Sequence, residues 1–252
     1  MGEWKVYLTL VTLIAVVLAA GCGTRLRPLT NAVPKCLLEV AGRTLLDRLC
    51  EALTAAGLVR AVIVTGHLSD SVESHLRSRR ASLAITCVRN DRYETTNNAA
   101  SLAAARDSVG DAGIVLCDAD VIFSTNPLPS LIGHAADCAV AVDTSISWDA
   151  EAMKVGLRGD RTVRAISKGL SAEQSGGESI GLQKVGAGSA PVLWDVLASL
   201  VRSEPATAYY EDAFQKMIDR GIEFGIAPVA PGSWMEIDDA ADLAAARERF
   251  GR

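Results

Sequence analysis

The sequence is short of the features that define several protein classes. Aromatic residues make up only 5% of the 252 positions, so a core has to be packed from Ala, Val, Leu and Ile. The six cysteines stand at 22, 36, 50, 87, 117 and 138; no two have C-x-x-C spacing and no Cys–His set has zinc-finger spacing. They read as small buried hydrophobes in a reducing compartment, which places the chain in the cytoplasm. A basic excess is also missing. Lys and Arg number 25 against 30 Asp and Glu, a net charge of −5, so a nucleic-acid partner is not expected. A small anion held by a few local Lys or Arg is not excluded by that balance. Glycine (21) and proline (8) are near their ordinary shares, and no repeat of 20–50 residues stands out.

What is present is 49% apolar and 22% charged residues, enough for a core and too apolar for long disorder. Val6 to Ala20 is a nearly unbroken apolar run, shorter than the about 20 residues a membrane span needs. With Lys5 before it and Ala19-Ala20-Gly21-Cys22 after it, the run could pass for a lipoprotein signal. The chain beyond a cleaved signal should start like a tether, whereas Gly23-Thr24-Arg25-Leu26 and Pro34-Lys35 form a dense, functional-looking segment. The expectation is therefore a buried parallel strand, Leu13 to Leu18, and no membrane partner. Residues 1–11 are read as an extension of unclear role, and 12–252 as a single domain.

Strand-like and helix-like segments alternate through the first half. Strands are expected at Ile14–Leu18, Ala61–Thr65, Ala84–Val88, Gly113–Cys117 and Cys138–Val142. Helices are expected at Leu45–Ala56, Ser69–Arg79, Asn97–Ser108 and Pro127–His134. That alternation predicts an α/β fold, a Rossmann-like, mostly parallel mixed sheet with helices on both faces. After residue 143 the pattern changes to a β-rich insertion, with a hairpin of Lys154–Leu157 and Thr162–Ser167 around Gly159-Asp160, then a strand at Ile180–Lys184. Helices Leu193–Val201, Glu211–Arg220 and Asp239–Glu248, with a strand at Phe224–Ala227, close the chain.

Leu18-Ala19-Ala20-Gly21-Cys22-Gly23-Thr24-Arg25-Leu26, followed by Pro34-Lys35, is the central signal. Glycines let a backbone approach phosphates with its N–H groups free. Arg25 offers a planar fork for phosphate oxygens, and Lys35 a mobile point charge. Leu26 stands where the dinucleotide fingerprint needs Gly or Ala, and the Gly-Lys-Ser/Thr of a P-loop is absent. G-x-G-T-R-L with a downstream P-K closely resembles the signature of the sugar-phosphate-type nucleotidyltransferases, the nucleoside-diphosphate-sugar pyrophosphorylase superfamily. The resemblance covers nearly the whole chain. It implies that Leu18, Ala19, Ala20, Gly21, Gly23 and Thr24 wrap a triphosphate, with Arg25 and Lys35 as the catalytic phosphate contacts. It also divides the domain into a nucleotide-binding part (12–143) and an acceptor-binding and closing part (144–252).

Leu116-Cys117-Asp118-Ala119-Asp120 ends an apolar strand, where open α/β sheets bind ligands. Carboxylates there suit Mg²⁺, which takes oxygen ligands and bridges phosphates. The resemblance implies Asp120 as one metal ligand, with Asp118 second in line beside the nucleotide or simply capping the next segment. Trp234-Met235-Glu236-Ile237-Asp238-Asp239 resembles the family's second metal element, with Asp238 as ligand and Glu236 behind it; Asp239 reads as the N-cap of the last helix.

Asn90-x-x-Tyr93-x-x-Thr96-Asn97-Asn98-x-x-Ser101 resembles the phosphocholine cytidylyltransferase branch, with its phosphonate and inositol-phosphate relatives. It implies that Asn97, Asn98 and Ser101 lie beside the base and ribose of CTP. Ala99-Ala100 depart from the bulkier residues common there, and a plain capped helix start explains the two asparagines equally. For a small anionic acceptor the resemblance offers Lys168 and Lys154, with Glu178, Tyr210, Glu211, Asp212 and Glu236 as further candidates. Trp148, Tyr209, Tyr210 and Trp234 would be the faces available to a quaternary ammonium. A sugar 1-phosphate with GTP or dTTP is the alternative substrate pair, and a non-catalytic nucleotide-binding module the alternative class. The two carboxylate elements speak against the latter. A homodimer is allowed and not specified.

Overall fold

The structure, a computed structural model, describes residues 13–79, 82–145, 151–159, 161–203 and 207–251. The expected extension at 1–11, the turn residue Asp160 and Trp148 lie outside the described residues. From the amino end, β1 (Leu13–Ala19) leads through the glycine loop to a small hairpin, β2 (Glu39–Val40) and β3 (Arg43–Thr44), and to helix α1 (Leu45–Ala55). There follow β4 (Arg60–Thr65), α2 (Ser69–Ser78), β5 (Ala84–Arg89), α3 (Asn98–Ala104), the single turn α4 (Arg106–Val109) and β6 (Gly113–Asp118). Next are β7 (Val121–Phe123), α5 (Leu128–Ile132), β8 (Cys138–Asp143), β9 (Lys154–Arg158), β10 (Thr162–Ser167) and β11 (Gly177–Val185). Last come α6 (Ala190–Ser203), α7 (Tyr210–Asp219), β12 (Phe224–Pro228), β13 (Trp234–Glu236) and α8 (Ala240–Phe250).

Nine strands form one mixed sheet in the order β5-β4-β1-β6-β11-β8-β12-β10-β9. β1 runs parallel to both its neighbours, β4 and β6. β11 is inserted antiparallel between β6 and β8. The apolar character of Leu13–Ala19 is explained by β1's central place. Ile14 and Val16 pack on one face with Leu102, Leu193 and Phe214, while Ala15 and Val17 pack on the other with Leu49, Val72 and Leu131. Alternation of side chains along a strand with both faces covered leaves no position for a polar residue.

Three features differ from the sequence reading. The helix expected at Asn97–Ser108 breaks at Ala105, whose N–H bonds to Leu102 O, a tighter turn that separates α3 from α4. The β9–β10 hairpin is not a separate insertion: it extends the main sheet, pairing with β12 and β11. Finally, β7 and β13, three residues each, pair antiparallel outside the main sheet, with Glu236 opposite Val121. A third core of Leu26, Ile122, Ile237, Leu243 and Phe250 lies under them and joins α8 to the end of the glycine loop. All six cysteines are free thiols, with Cys36, Cys50, Cys117 and Cys138 buried. No described helix is long and apolar enough to cross a membrane.

Candidate active site

The glycine loop leaves the carboxyl end of β1. Gly23 takes a left-handed φ of 58°, and its carbonyl accepts from Leu26 N and Thr30 Oγ1, folding the loop back on itself. A methyl group at Gly23 would stand 3.0 Å from Thr30 Cγ2, whereas one at Gly21 would meet nothing within 4 Å. Gly23 is thus required by the turn, and Gly21 borders open space. Lys35 opens a short 3-10 turn beyond the loop.

Residues far apart in sequence meet at Lys35. Its Nζ donates to Asp120 Oδ2 at 2.7 Å and to Asp238 Oδ1 at 2.8 Å. Arg25 pairs with the other oxygen of Asp238 at 2.9 Å. The register of β13 on β7 makes this possible, and Ile237 N donates to Asp120 O at 3.1 Å, clamping the two carboxylate segments side by side. Oxygen atoms of Asp120, Glu236 and Asp238 lie within 4.8 Å of one another. Asp120 Oδ1 is buried and has no hydrogen-bond partner. Burial works against the charge of Lys35, yet Asp120 and Asp238 overcome it and hold the ammonium above the ordinary lysine range. Crowding in the cleft, then the like charges of Asp120 and Asp238, push Glu236 up to about 8 although its side chain stays open to the cavity. A set of three oxygen donors with an orphaned, buried carboxylate oxygen is what a hard divalent cation takes.

Two hollows meet at these acids. The smaller, about 230 Å³, is bordered by Leu18, Ala20 and Gly21, by Asn97, Asn98 and Ser101, and by Asp118, Asp120 and Glu236. Ala19 faces the core, and Gly23 and Thr24 do not border this hollow; they shape the loop from behind. Asn97 Oδ1 caps α3 by accepting from Asn98 N, and its Nδ2 donates to Thr207 O. Ser101 Oγ accepts from Asn90 Nδ2. The larger cavity, about 450 Å³, is bordered by Arg25, Lys168, Glu178, Glu211, Glu236 and Asp238 among others.

Two expected acceptor contacts are corrected. Tyr210 is fully buried and does not line the cavity: its hydroxyl donates to Asp118 Oδ2 at 2.7 Å, and its N–H donates to Asn98 Oδ1. It joins α7 to α3 and β6 instead. Lys154 is buried in β9 with its Nζ on Lys168 O at 2.9 Å, so it holds Lys168's backbone and does not reach the cavity wall. Asp239 caps α8, accepting from Ala241 N and Asp242 N, and Asp212 caps α7 through Tyr209 N. Asp143 was missed by the sequence reading. It lines the larger cavity and accepts from Trp234 Nε1 at 2.8 Å. Its signal, a carboxylate ending an apolar strand, is the one that singled out Asp118.

Residues 15–201 match the model of the MobA-like NTP transferase domain. The chain belongs to this family. Among relatives, it is 39% identical over 146 residues to an N-acetylmuramate alpha-1-phosphate uridylyltransferase of Caulobacter vibrioides, a match covering 57% of this chain and 56% of that protein. It is 31% identical over 169 residues to a 2-aminoethylphosphonate cytidylyltransferase of Lancefieldella rimae, covering 62% of this chain and 65% of that protein. The matched stretch thus spans less than two thirds of either relative. The structure of the inositol-1-phosphate CTP transferase of T. maritima has the same fold, with a TM-score of 0.77 over 96% of both chains at 24% identity. In this member of the MobA-like NTP transferase domain family the glycine loop, Lys35 and the three acids occupy one end of the sheet, at the carboxyl ends of β1 and β6 and beside the β7–β13 pair.

Proposed function

We propose that this protein is a Mg²⁺-dependent cytidylyltransferase of the cytoplasm, transferring CMP from CTP to a small acceptor that carries a phosphate or phosphonate, with release of pyrophosphate. The observation that carries the reading is Lys35 held between Asp120 and Asp238 beside an open glycine loop. The acceptor oxygen forms a bond to the α-phosphorus as the bond to the β-phosphate oxygen breaks, so the protein has to align two anions and offset their charge. Free N–H groups of the loop suit the triphosphate. Arg25, half exposed at the junction of loop and acids, suits the leaving phosphates. Lys35 neutralises charge near the transferred phosphoryl group. Asp120, Asp238 and Glu236 would hold Mg²⁺, which supplies Lewis acidity and a template for the phosphates. Asn98 has its Oδ1 engaged by Tyr210 N, leaving its amide N–H groups toward the smaller hollow as donors for a base edge.

A uridylyl transfer to a sugar 1-phosphate is the second reading, favoured by the identity to the Caulobacter vibrioides relative. A panel of CTP, UTP, GTP and dTTP against both acceptor classes, read by pyrophosphate release, separates the two. Lys35→Ala and Asp120→Asn are expected to lower turnover by at least about 10²-fold with unchanged circular dichroism. Near-normal release by either variant would overturn the roles of Lys35 and Asp120.

A further inference from the structure

The larger cavity has more negative charge than an anionic substrate can use. Among the described residues, its walls carry eight carboxylates against two cations, Arg25 and Lys168. Glu236 and Asp238 belong to the metal cluster, next to Arg25. The charge of Lys168 is already taken. Its Nζ lies 3.2 Å from Glu151 Oε2 and 5.3 Å from the centre of the Tyr209 ring. Most of the remaining acids are engaged as well. Asp143 accepts from Trp234 and Ser145, and Asp118 from Tyr210.

Glu211 is different. It sits in the first turn of α7 with only 5% of its surface exposed, it lines the cavity, and its Oε2 is buried without a hydrogen-bond partner. A buried carboxylate oxygen without a donor costs free energy that a bound cation with N–H groups can offset. The cavity therefore offers an anion Arg25 beside the metal acids and, on α7, a carboxylate oxygen that no donor reaches.

Resting on the nucleotidyl-transfer reading, we infer that the acceptor is a short phosphate or phosphonate that bears a protonated primary amine, received by Glu211. Two observations favour a primary amine over a quaternary one. A trimethylammonium group has no N–H to give Glu211 Oε2 and needs free aromatic faces. Among the described residues that line the cavity, the aromatic ones are Tyr209, which already faces Lys168, and Trp234, which gives its Nε1–H to Asp143. Burial also pushes the Glu211 carboxyl up to about 7, and the hydrogen bonds and the charge of Lys168 that act on it offset that only in part. Glu211 is thus a specificity-determining residue.

The test compares 2-aminoethylphosphonate with its near-isostere 2-hydroxyethylphosphonate, and phosphoethanolamine with phosphocholine, using wild-type protein, CTP or UTP, Mg²⁺ and pyrophosphate detection. The expected result is at least a tenfold preference in kcat/KM for the amine in each pair. Glu211→Gln is expected to bring the amine-to-hydroxyl ratio close to one, chiefly by raising KM for the amine. Folding of the variant is checked by its melting transition, and the wild-type ratio stands on its own if the variant unfolds. Equal or better use of the hydroxyl compound overturns the inference while leaving nucleotidyl transfer intact, and so does a preference for phosphocholine. Transfer to sugar 1-phosphates alone overturns it too. No pyrophosphate with any nucleotide and acceptor overturns the nucleotidyl-transfer reading itself.

Discussion

Lys35 answers two carboxylates at once, and its position explains why the acids can gather without repelling each other apart. A positive charge between Asp120 and Asp238 competes with a divalent cation for the same oxygens. Lys35→Met is therefore expected to bind Mn²⁺ about tenfold more tightly than wild type in the absence of nucleotide, as followed by electron paramagnetic resonance. Unchanged or weaker binding would show that the ammonium does not compete. Glu211 supports a prediction of its own. Its native carboxyl titrates near 7, above the ordinary 4.5, so the folded protein keeps a proton that the unfolded chain gives up. Stability then falls as pH rises from about 4.5 to about 7 and is flat beyond. Ligand-free Glu211→Gln should accordingly gain roughly 1–3 kcal/mol over wild type at pH 8 and much less at pH 4.5, measured by urea unfolding at both values. At this scale Arg25, Lys35, Asp120 and Asp238 were legible because their residue types stand in an ordered string. Tyr210 and Lys154 were not, because an aromatic hydroxyl or an ammonium reads the same in sequence whether it faces a cavity or a buried carbonyl.

The glycine loop separates two requirements that the sequence writes with one letter. Gly23 has a left-handed backbone and Thr30 against it, so Gly23→Ala should cost about 1–2 kcal/mol of stability. Gly21 has neither constraint; Gly21→Ala should leave the melting temperature within about a degree while raising KM for the nucleotide about tenfold. Thermal melts and initial rates on the two variants test the contrast. Equal effects on stability would contradict it. The β7–β13 pair is the other decisive element. Ile237, fully buried between Glu236 and Asp238, anchors it to the third core. Ile237→Ala should cost about 2–4 kcal/mol and weaken Mn²⁺ binding, since both flanking acids are placed by that anchor. Three-residue strands outside the main sheet leave too little alternation for their pairing to be seen in a sequence.

For the molecule as a whole, alternating apolar runs and amphipathic stretches specify a layered α/β sheet, because each strand in its middle must bury both faces and each helix must cover one. The same local patterns also showed the glycine loop, since a Gly-rich turn after a buried strand is a short-range feature. Neither the antiparallel insertion of β11 nor the extension of the sheet by β9 and β10 is written in such patterns; strand neighbours are chosen by long-range packing. The meeting of Asp120 with Asp238, 118 positions apart in numbering, belongs to that second class: it depends on the register of β13 against β7 and on one backbone bond from Ile237 to Asp120. Residue chemistry and periodicity act over a few positions and can be read along the chain, whereas the charge balance of a cavity depends on which side chains the fold leaves without partners, and Glu211 became distinct from its acidic neighbours only there.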